Sequence, residues 1–524
     1  MRYNFLRFFL LPFFTVLLFA CNDKAATGTL TATETPFPYS DGVTRISDDS
    51  LAFVLFAPGK ESVYLVGDFN GWQALEEYKM GKSGDRFQLK IGGLSPHKEY
   101  VCQYLIDNEV LVADPYAHKI SDPRYDKDIS PSIYPNLISY PSGKANGIAM
   151  TVSTAPESYS WNIDSYTVTN PERLVIYEIL IRDFTEQRSI KGAQEKLPYL
   201  KALGVNAVEL MPFNEFEGND SWGYNPSFYF APDKAYGTSN DYKAFIDECH
   251  ANGMAVIMDM VLNHSYGQSP MVRMYQSSGA VTAENPWYNV KSPNTSYSWG
   301  YDFNHESPYT QQLVDNVCAY WIKEYKIDGY RFDFTKGFTN KSGDGWAYDE
   351  SRIRILQRMA DEIRKRKEDA IIIFEHLADN SEEKALAEHG ILLWGNLNRN
   401  MNEATMGYGN APNGNTLKGD LSWASYKQRG WTKPNLVAYM ESHDEERIMF
   451  KNTAYGKKDT TGYDVRNLAT ALKRTEAAAV IFFSLPGPKM IWQFGELGYD
   501  YPLEEKGADR LEKKPIRWNY YEEP

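Results

Sequence analysis

Cysteine is scarce in this chain: Cys21, Cys102, Cys249 and Cys318 are the only four in 524 residues. That count excludes a disulfide scaffold, and no CxxC, HxH or HExxH pattern suggests a zinc site. Positive charge is also short. Lys and Arg number 55 against 69 Asp and Glu, a formal charge of −14, so the basic footprint that nucleic-acid affinity requires is missing. A neutral ligand fits better. What the chain does have is aromatic and apolar mass: 14% aromatic residues, with 37 Tyr, 26 Phe and 12 Trp, 43% hydrophobic, and a mean hydropathy of −0.50. This is a globular composition and not a disordered one. At a soft ~150 residues per domain, the length suggests three to four folding units, with single α/β barrels of 250 or more residues as the known exception.

Arg2 and Arg7 lead into the apolar run Phe8 to Ala20, which is too short for a membrane span and suits the core of a secretory signal. Its end, Leu18-Phe19-Ala20-Cys21, resembles the lipobox of bacterial lipoproteins. That resemblance implies lipidation of Cys21 and a lipid-anchored protein of the cell envelope, with membrane contact only through the acyl chains. An ordinary secretory peptide that happens to meet a cysteine is the alternative. Residues 22–40, small, polar and Thr-rich, read as a flexible tether.

Between about 41 and 140, short β-rich runs (51–59, 63–66, 87–91, 100–106) alternate with Pro/Gly turns, which argues for a β-sandwich. The phrase VYLVGDFNGW, followed by CQYLIDNEVLVADPYA, resembles the immunoglobulin-like module of carbohydrate-binding module family 48. Trp72 in this phrase either stacks on a sugar ring or packs against the neighbouring domain. Residues 141–170 read as a linker.

From residue 171 the pattern becomes buried β runs separated by helical stretches, the signature of βα units. Eight strands are expected: Leu174 to Ile181, Val205 to Leu210, Ala255 to Met260, Gly329 to Phe334, Ile371 to Glu375, Ile391 to Trp394, Val437 to Glu441 and Lys489 to Gln493. Helices are expected at Tyr242 to Asn252 and Thr310 to Tyr325. Eight such units make a (β/α)8 TIM barrel, whose active site lies at the C-terminal ends of the strands. Acids and their partners stand there: Asp259, Asn263 and His264 after the third run; Arg331 and Asp333, two apart and so on one side, in the fourth; Glu375 at the end of the fifth; His443 and Asp444 after the seventh.

These four segments, in this order, resemble the four sequence regions of the α-amylase superfamily, glycoside hydrolase family 13. Ser221-Trp222-Gly223-Tyr224-Asn225-Pro226 and Trp299-Gly300-Tyr301-Asp302 resemble two further family loops, the second in a short excursion over 265–307. The resemblance implies that Asp333 is a nucleophile, Glu375 an acid/base and Asp444 a third carboxylate gripping the sugar. Tyr224, His264 and His443 are implied to contact the ring being cleaved. Retaining cleavage needs one carboxylate to attack and one carboxyl to protonate the leaving oxygen, about 5 to 5.5 Å apart. Arg331 is expected to keep Asp333 ionised while its surroundings hold Glu375 protonated. Asp259 is expected to brace the mouth against Arg331, and Lys336 either reaches a sugar on the leaving-group side or is a surface lysine. Asn263 aligns with a calcium ligand of many relatives, but one oxygen is not the six to eight that Ca²⁺ takes, and no cofactor is required by this chemistry.

The sequence departs from the family pattern at Phe374 and His376, which flank Glu375, and at Gly337, where many α-amylases carry a histidine. No eighth helix is apparent before Pro524, so a missing final helix and C-terminal β-domain are expected, with apolar surface bared beside strands eight and one. The leading expectation is a retaining glycoside hydrolase acting on α-glucans such as starch, glycogen or malto-oligosaccharides. A branching, debranching or transferring enzyme of the same superfamily and an inactive glycan-binding lipoprotein are the alternatives.

Overall fold

The computed structural model describes residues 38–409 and 418–523. The expected signal peptide, Cys21 and most of the tether lie outside the described residues.

Two antiparallel sheets build the N-terminal part. One runs Gly42–Ser47, Ser50–Phe56, Arg86–Ile91, Gly81–Ser83; the other runs Val63–Gly67, Tyr100–Ile106, Ala149–Val152, Ile120–Ser121, with Val110–Val112 also paired to Tyr100–Ile106. Leu51, Phe53 and Leu55 of the first sheet join Leu65, Tyr104 and Ile106 of the second in one buried core, the layered packing of a β-sandwich. The sandwich runs past its expected boundary at 140. Ala149–Val152, inside the expected linker 141–170, is an inner strand between Tyr100–Ile106 and Ile120–Ser121; four residues are too few for an alternating pattern to stand out. Phe56 packs its ring on Trp287 and Tyr309 (centroids 5.7 and 5.1 Å), and Tyr116 stacks on Phe230 at 4.6 Å. Tyr275 donates its hydroxyl to the Pro58 carbonyl at 2.8 Å. The sandwich core and the helix-facing core of the barrel are therefore one continuous cluster.

Eight parallel strands close into a barrel: Val175–Ile179, Ala207–Leu210, Ala255–Met260, Gly329–Phe332, Ile371–Phe374, Leu392–Asn396, Leu436–Tyr439 and Lys489–Trp492. Each stands where the apolar runs placed it, with ends differing by a residue or two. The strands read as apolar because both faces are covered. Ile176, Ala207, Ile257, Ile373, Val437 and Met490 fill the interior as a second cluster. Gly329 is required by its neighbour: a Cβ there would lie 2.0 Å from the Ile371 carbonyl oxygen. The two expected helices form as Ser239–Ala251 and Pro308–Tyr325, starting earlier than the apolar pattern because Thr238 and Ser307 cap them, Thr238 in a capping box with Asp241.

After strand eight no α-helix follows among the described residues. The seam between strands eight and one is not bare at the mouth, however. Trp518 packs on Phe184 and Phe494 and donates Nε1–H to the Phe184 carbonyl at 2.7 Å. Helix Leu468–Ser484, which precedes strand eight, leaves Leu468, Val480, Ile481 and Phe483 at least half exposed. Among the described residues no helix is long and apolar enough to cross a membrane, and Cys102, Cys249 and Cys318 are free and buried.

Candidate active site

Arg331 organises the mouth of the barrel. It sits on strand four, buried, with its guanidinium 4.1 Å over the ring of Trp394 from strand six. Nη1 donates to both oxygens of Asp259 (2.8 and 3.0 Å) and reaches Asp333 at 3.2 Å, while Nη2 donates to Glu375 at 2.9 Å. Three carboxylates from strands three, four and five thus share one cation. Asp259 braces Arg331 as expected from sequence, and it also accepts the Tyr224 hydroxyl at 2.5 Å.

Asp333 and Glu375 each stand one residue beyond the last paired residue of their strand. The next residue, Phe334, has a φ of +45° and donates its backbone N–H to Glu375 Oε2 at 2.9 Å. Such a backbone is strained for a bulky residue and is held in place by its surroundings. Burial and the neighbouring Glu375 push the Asp333 carboxyl well above the usual carboxylate range, while Arg331 pulls it down. Arg331 does touch Asp333, but it touches Glu375 as well. One cation bound to both does not separate them, contrary to the expectation that it would hold Asp333 alone ionised.

His443, after strand seven, is fixed by Glu178 of strand one, which lies 2.6 Å from Nδ1 and accepts the His443 backbone N–H at 3.1 Å. Glu178 raises the imidazole's pKa against the effect of burial, so the ring is inclined to carry charge. Among the described residues nothing bonds its Nε2. The ring stacks on Tyr224 (5.1 Å) and meets Trp222, Trp394 and Trp492 edge-on or tilted. Asp444 is the most open of the acids, held down by His443 and by Arg510, whose guanidinium pairs with it.

His264 does not present a free donor. Its Nε2 donates to the Tyr224 carbonyl at 2.9 Å and its Nδ1 faces the Asn263 amide at 3.4 Å, and burial lowers its pKa. In this structure it orders the Tyr224 loop instead of facing a sugar. Lys336 is no surface lysine: it is buried, with Nζ 4.4 Å from the ring of Trp346 and 5.2 and 5.3 Å from Tyr297 and Phe334. Trp72 is apart from this group. It turns the chain at φ +66° and donates Nε1–H to Asp68 of its own loop at 3.0 Å.

Asn263 does not sit in a cluster of acidic ligands among the described residues. Its Oδ1 has no hydrogen-bond partner, yet among the described residues no group of three or more His, Cys, Asp or Glu could hold a metal ion. Gly337 crowds that oxygen: a Cβ would come within 2.0 Å of it, which explains why glycine occupies this position.

Sequence reasoning passed over Glu178, Trp394 and Arg510. A lone glutamate inside the apolar strand VIYEI was a usable signal, because charged residues are almost never fully buried unless paired. Arg510 lies in no motif.

A barrel whose mouth gathers carboxylates from successive strand ends, preceded by a β-sandwich, defines a class, and comparison with known proteins places the chain within it. A model of the alpha-amylase catalytic domain matches residues 164–300 and 296–520, and one of carbohydrate-binding module 48, the isoamylase N-terminal domain, matches residues 42–117. The chain belongs to the alpha-amylase family. It is 29% identical over 302 residues to the 1,4-alpha-glucan branching enzyme of Oceanobacillus iheyensis, which covers 54% of this chain and 42% of that protein. It is 28% identical over 336 residues to the malto-oligosyltrehalose trehalohydrolase of Saccharolobus solfataricus, covering 63% and 50%. The chain thus spans half or less of the length of these relatives. The crystal structure of pullulanase type I from Bacillus subtilis complexed with maltose superposes with a TM-score of 0.66 at 19% identity, over 93% of this chain and 70% of that one.

Proposed function

We propose that this protein is a retaining glycoside hydrolase acting on α-glucans, with Asp333 as nucleophile and Glu375 as acid/base. The attachment of both carboxyls to one guanidinium, that of Arg331, carries the reading, because it gathers at one point the two acids that a double displacement uses. The reaction needs one proton between the two acids. A glycosidic oxygen placed beside Glu375 draws that proton to it and leaves Asp333 ionised. Asp333 then attacks C1 as the C1–O bond breaks and Glu375 gives its proton to the leaving oxygen. In the second half a water gives a proton to Glu375 and its oxygen to C1, which frees Asp333. Asp444 and His443 grip the ring hydroxyls, and Tyr224 lies against its face.

The half-exposed rings of Tyr297, Trp299 and Trp346 beside Lys336 favour a second reading, in which a sugar hydroxyl replaces water and the enzyme transfers or branches. Product analysis on starch, glycogen and pullulan, beside Asp333→Asn, decides. New reducing ends from wild type alone establish hydrolysis, reshaped glucan without them establishes transfer, and glucan binding with no product leaves a binding lipoprotein. We also assign residues 1–20 as a secretory signal and Cys21 as the lipidated residue at the cell envelope. The LFAC ending supports this, and mass spectrometry of the mature N-terminus tests it.

A further inference from the structure

Behind Glu375 lies a second set of buried groups that the chemistry above does not use. Arg352, near the start of helix Glu350–Arg364, donates Nε–H and Nη2–H to the two oxygens of Glu382 at 2.6 and 2.9 Å, and Nη1–H to the Lys336 carbonyl at 2.5 Å. Glu382, on helix Asn380–Glu388, faces His376 Nε2 at 3.0 Å and also accepts the Asp349 backbone N–H at 2.9 Å. His376 Nδ1 faces Thr335 Oγ1 at 3.0 Å, and Thr335 reaches back to the Glu375 carbonyl with Oγ1 (3.0 Å) and with its backbone N–H (2.9 Å). Arg352, Glu382, His376 and Thr335 are all essentially inaccessible to solvent.

The chain Arg352, Glu382, His376, Thr335 therefore ends on the peptide group of the acid/base. It ties that peptide to the one following Asp333 and anchors both on two helices. Thr335 has one hydroxyl hydrogen and two possible takers, the Glu375 carbonyl and His376 Nδ1. With the imidazole neutral and its hydrogen on Nε2 towards Glu382, Nδ1 takes the Thr335 hydrogen, and the Thr335 backbone N–H is then what holds the Glu375 carbonyl, at 2.9 Å. Arg352 and Lys336 both oppose a charge on this ring, as does burial, against the pull of Glu382. Removing the ring takes one partner from the Thr335 hydroxyl, which turns to the Glu375 carbonyl, and one from Glu382, which keeps Arg352 and the Asp349 N–H, so the change falls on how Thr335 is held.

We propose that His376 is a positioning residue that acts through Thr335 to hold Glu375 where it can protonate the leaving oxygen. This rests on the reading of Glu375 as the acid/base. The test compares kcat/KM, which reports the first bond cleavage, for maltoheptaose and for α-maltosyl fluoride, whose fluoride departs without a proton. For His376→Ala we expect a loss of about 10- to 100-fold on maltoheptaose, within the range general-acid catalysis contributes, and a change under about twofold on the fluoride. Thr335→Val should reproduce that pattern, Thr335→Ser should restore it, and the double variant His376→Ala/Thr335→Val should lose no more than either single one. The alkaline limb of the kcat/KM profile, where the proton donor is lost, should also move in both single variants. Equal losses on both substrates, or additive losses in the double variant, would overturn the proposal; should His376→Ala not fold, the Thr335 pair carries the same comparison. Wild type inactive on both substrates would instead sink the glycosidase reading.

Discussion

Arg510 closes on the carboxylate of Asp444 from 66 residues further along the chain. The pair is 35% and 46% exposed, and such pairs contribute roughly 0–1 kcal/mol, so hydroxyls of an entering sugar can displace the guanidinium. Arg510→Ala should leave stability to denaturant almost unchanged and lower KM for malto-oligosaccharides by about two- to fivefold, the value of up to ~1 kcal/mol. Michaelis curves check this; a higher KM would instead make Arg510 a sugar ligand.

Arg331 is the reverse case, a buried cation on which three buried or half-buried acids depend. Arg331→Lys offers one ammonium where a two-pronged guanidinium is needed. We expect a loss of about 3–5 kcal/mol in urea unfolding, the usual consequence of breaking a buried pair, together with loss of turnover.

Glu178 and His443 give stability a pH dependence of known sign. The folded imidazole's pKa is raised, so its stabilisation is fully present below the unfolded value of about 6.5 and is lost as pH rises through the higher folded value. Glu178→Gln removes the cause of the shift. The gap in melting temperature between wild type and this variant should therefore be wider at pH 6 than at pH 9. A gap independent of pH would mean that the ring is neutral in the fold.

Gly337→Ala places a methyl carbon against Asn263 Oδ1 and 2.8 Å from Phe334. Overpacking of this kind costs about 1–3 kcal/mol. Adding Asn263→Ala to the variant should recover part of that loss, because the two sites touch, and denaturant curves on the three proteins measure it.

The eight strands were legible because each is a short, largely apolar run, and in the fourth and fifth the first residue past the run is Asp333 or Glu375. The acids converge by the geometry of the barrel, so no local cluster is needed to bring them to one mouth. Other features left no local trace. Ala149–Val152 is too short to show a period, and His264 turns inwards because of the Tyr224 carbonyl, a backbone atom that no side-chain pattern advertises. The division of charge between Asp333 and Glu375 was misread for a related reason. Arg331 is two residues from Asp333 in sequence, but in space its other nitrogen is as close to Glu375.

The rings of Phe56, Trp287 and Tyr309 interlock across the junction of sandwich and barrel, and this bears on how such chains can be recombined. One side of that contact lies at residue 56 and the other beyond residue 280. A crossover in the connecting segment would separate side chains that pack on one another, leaving an unfilled joint. Among relatives, a transplanted sandwich should therefore travel with the barrel excursion it leans on, as an inherited pair and not as an exchangeable cartridge.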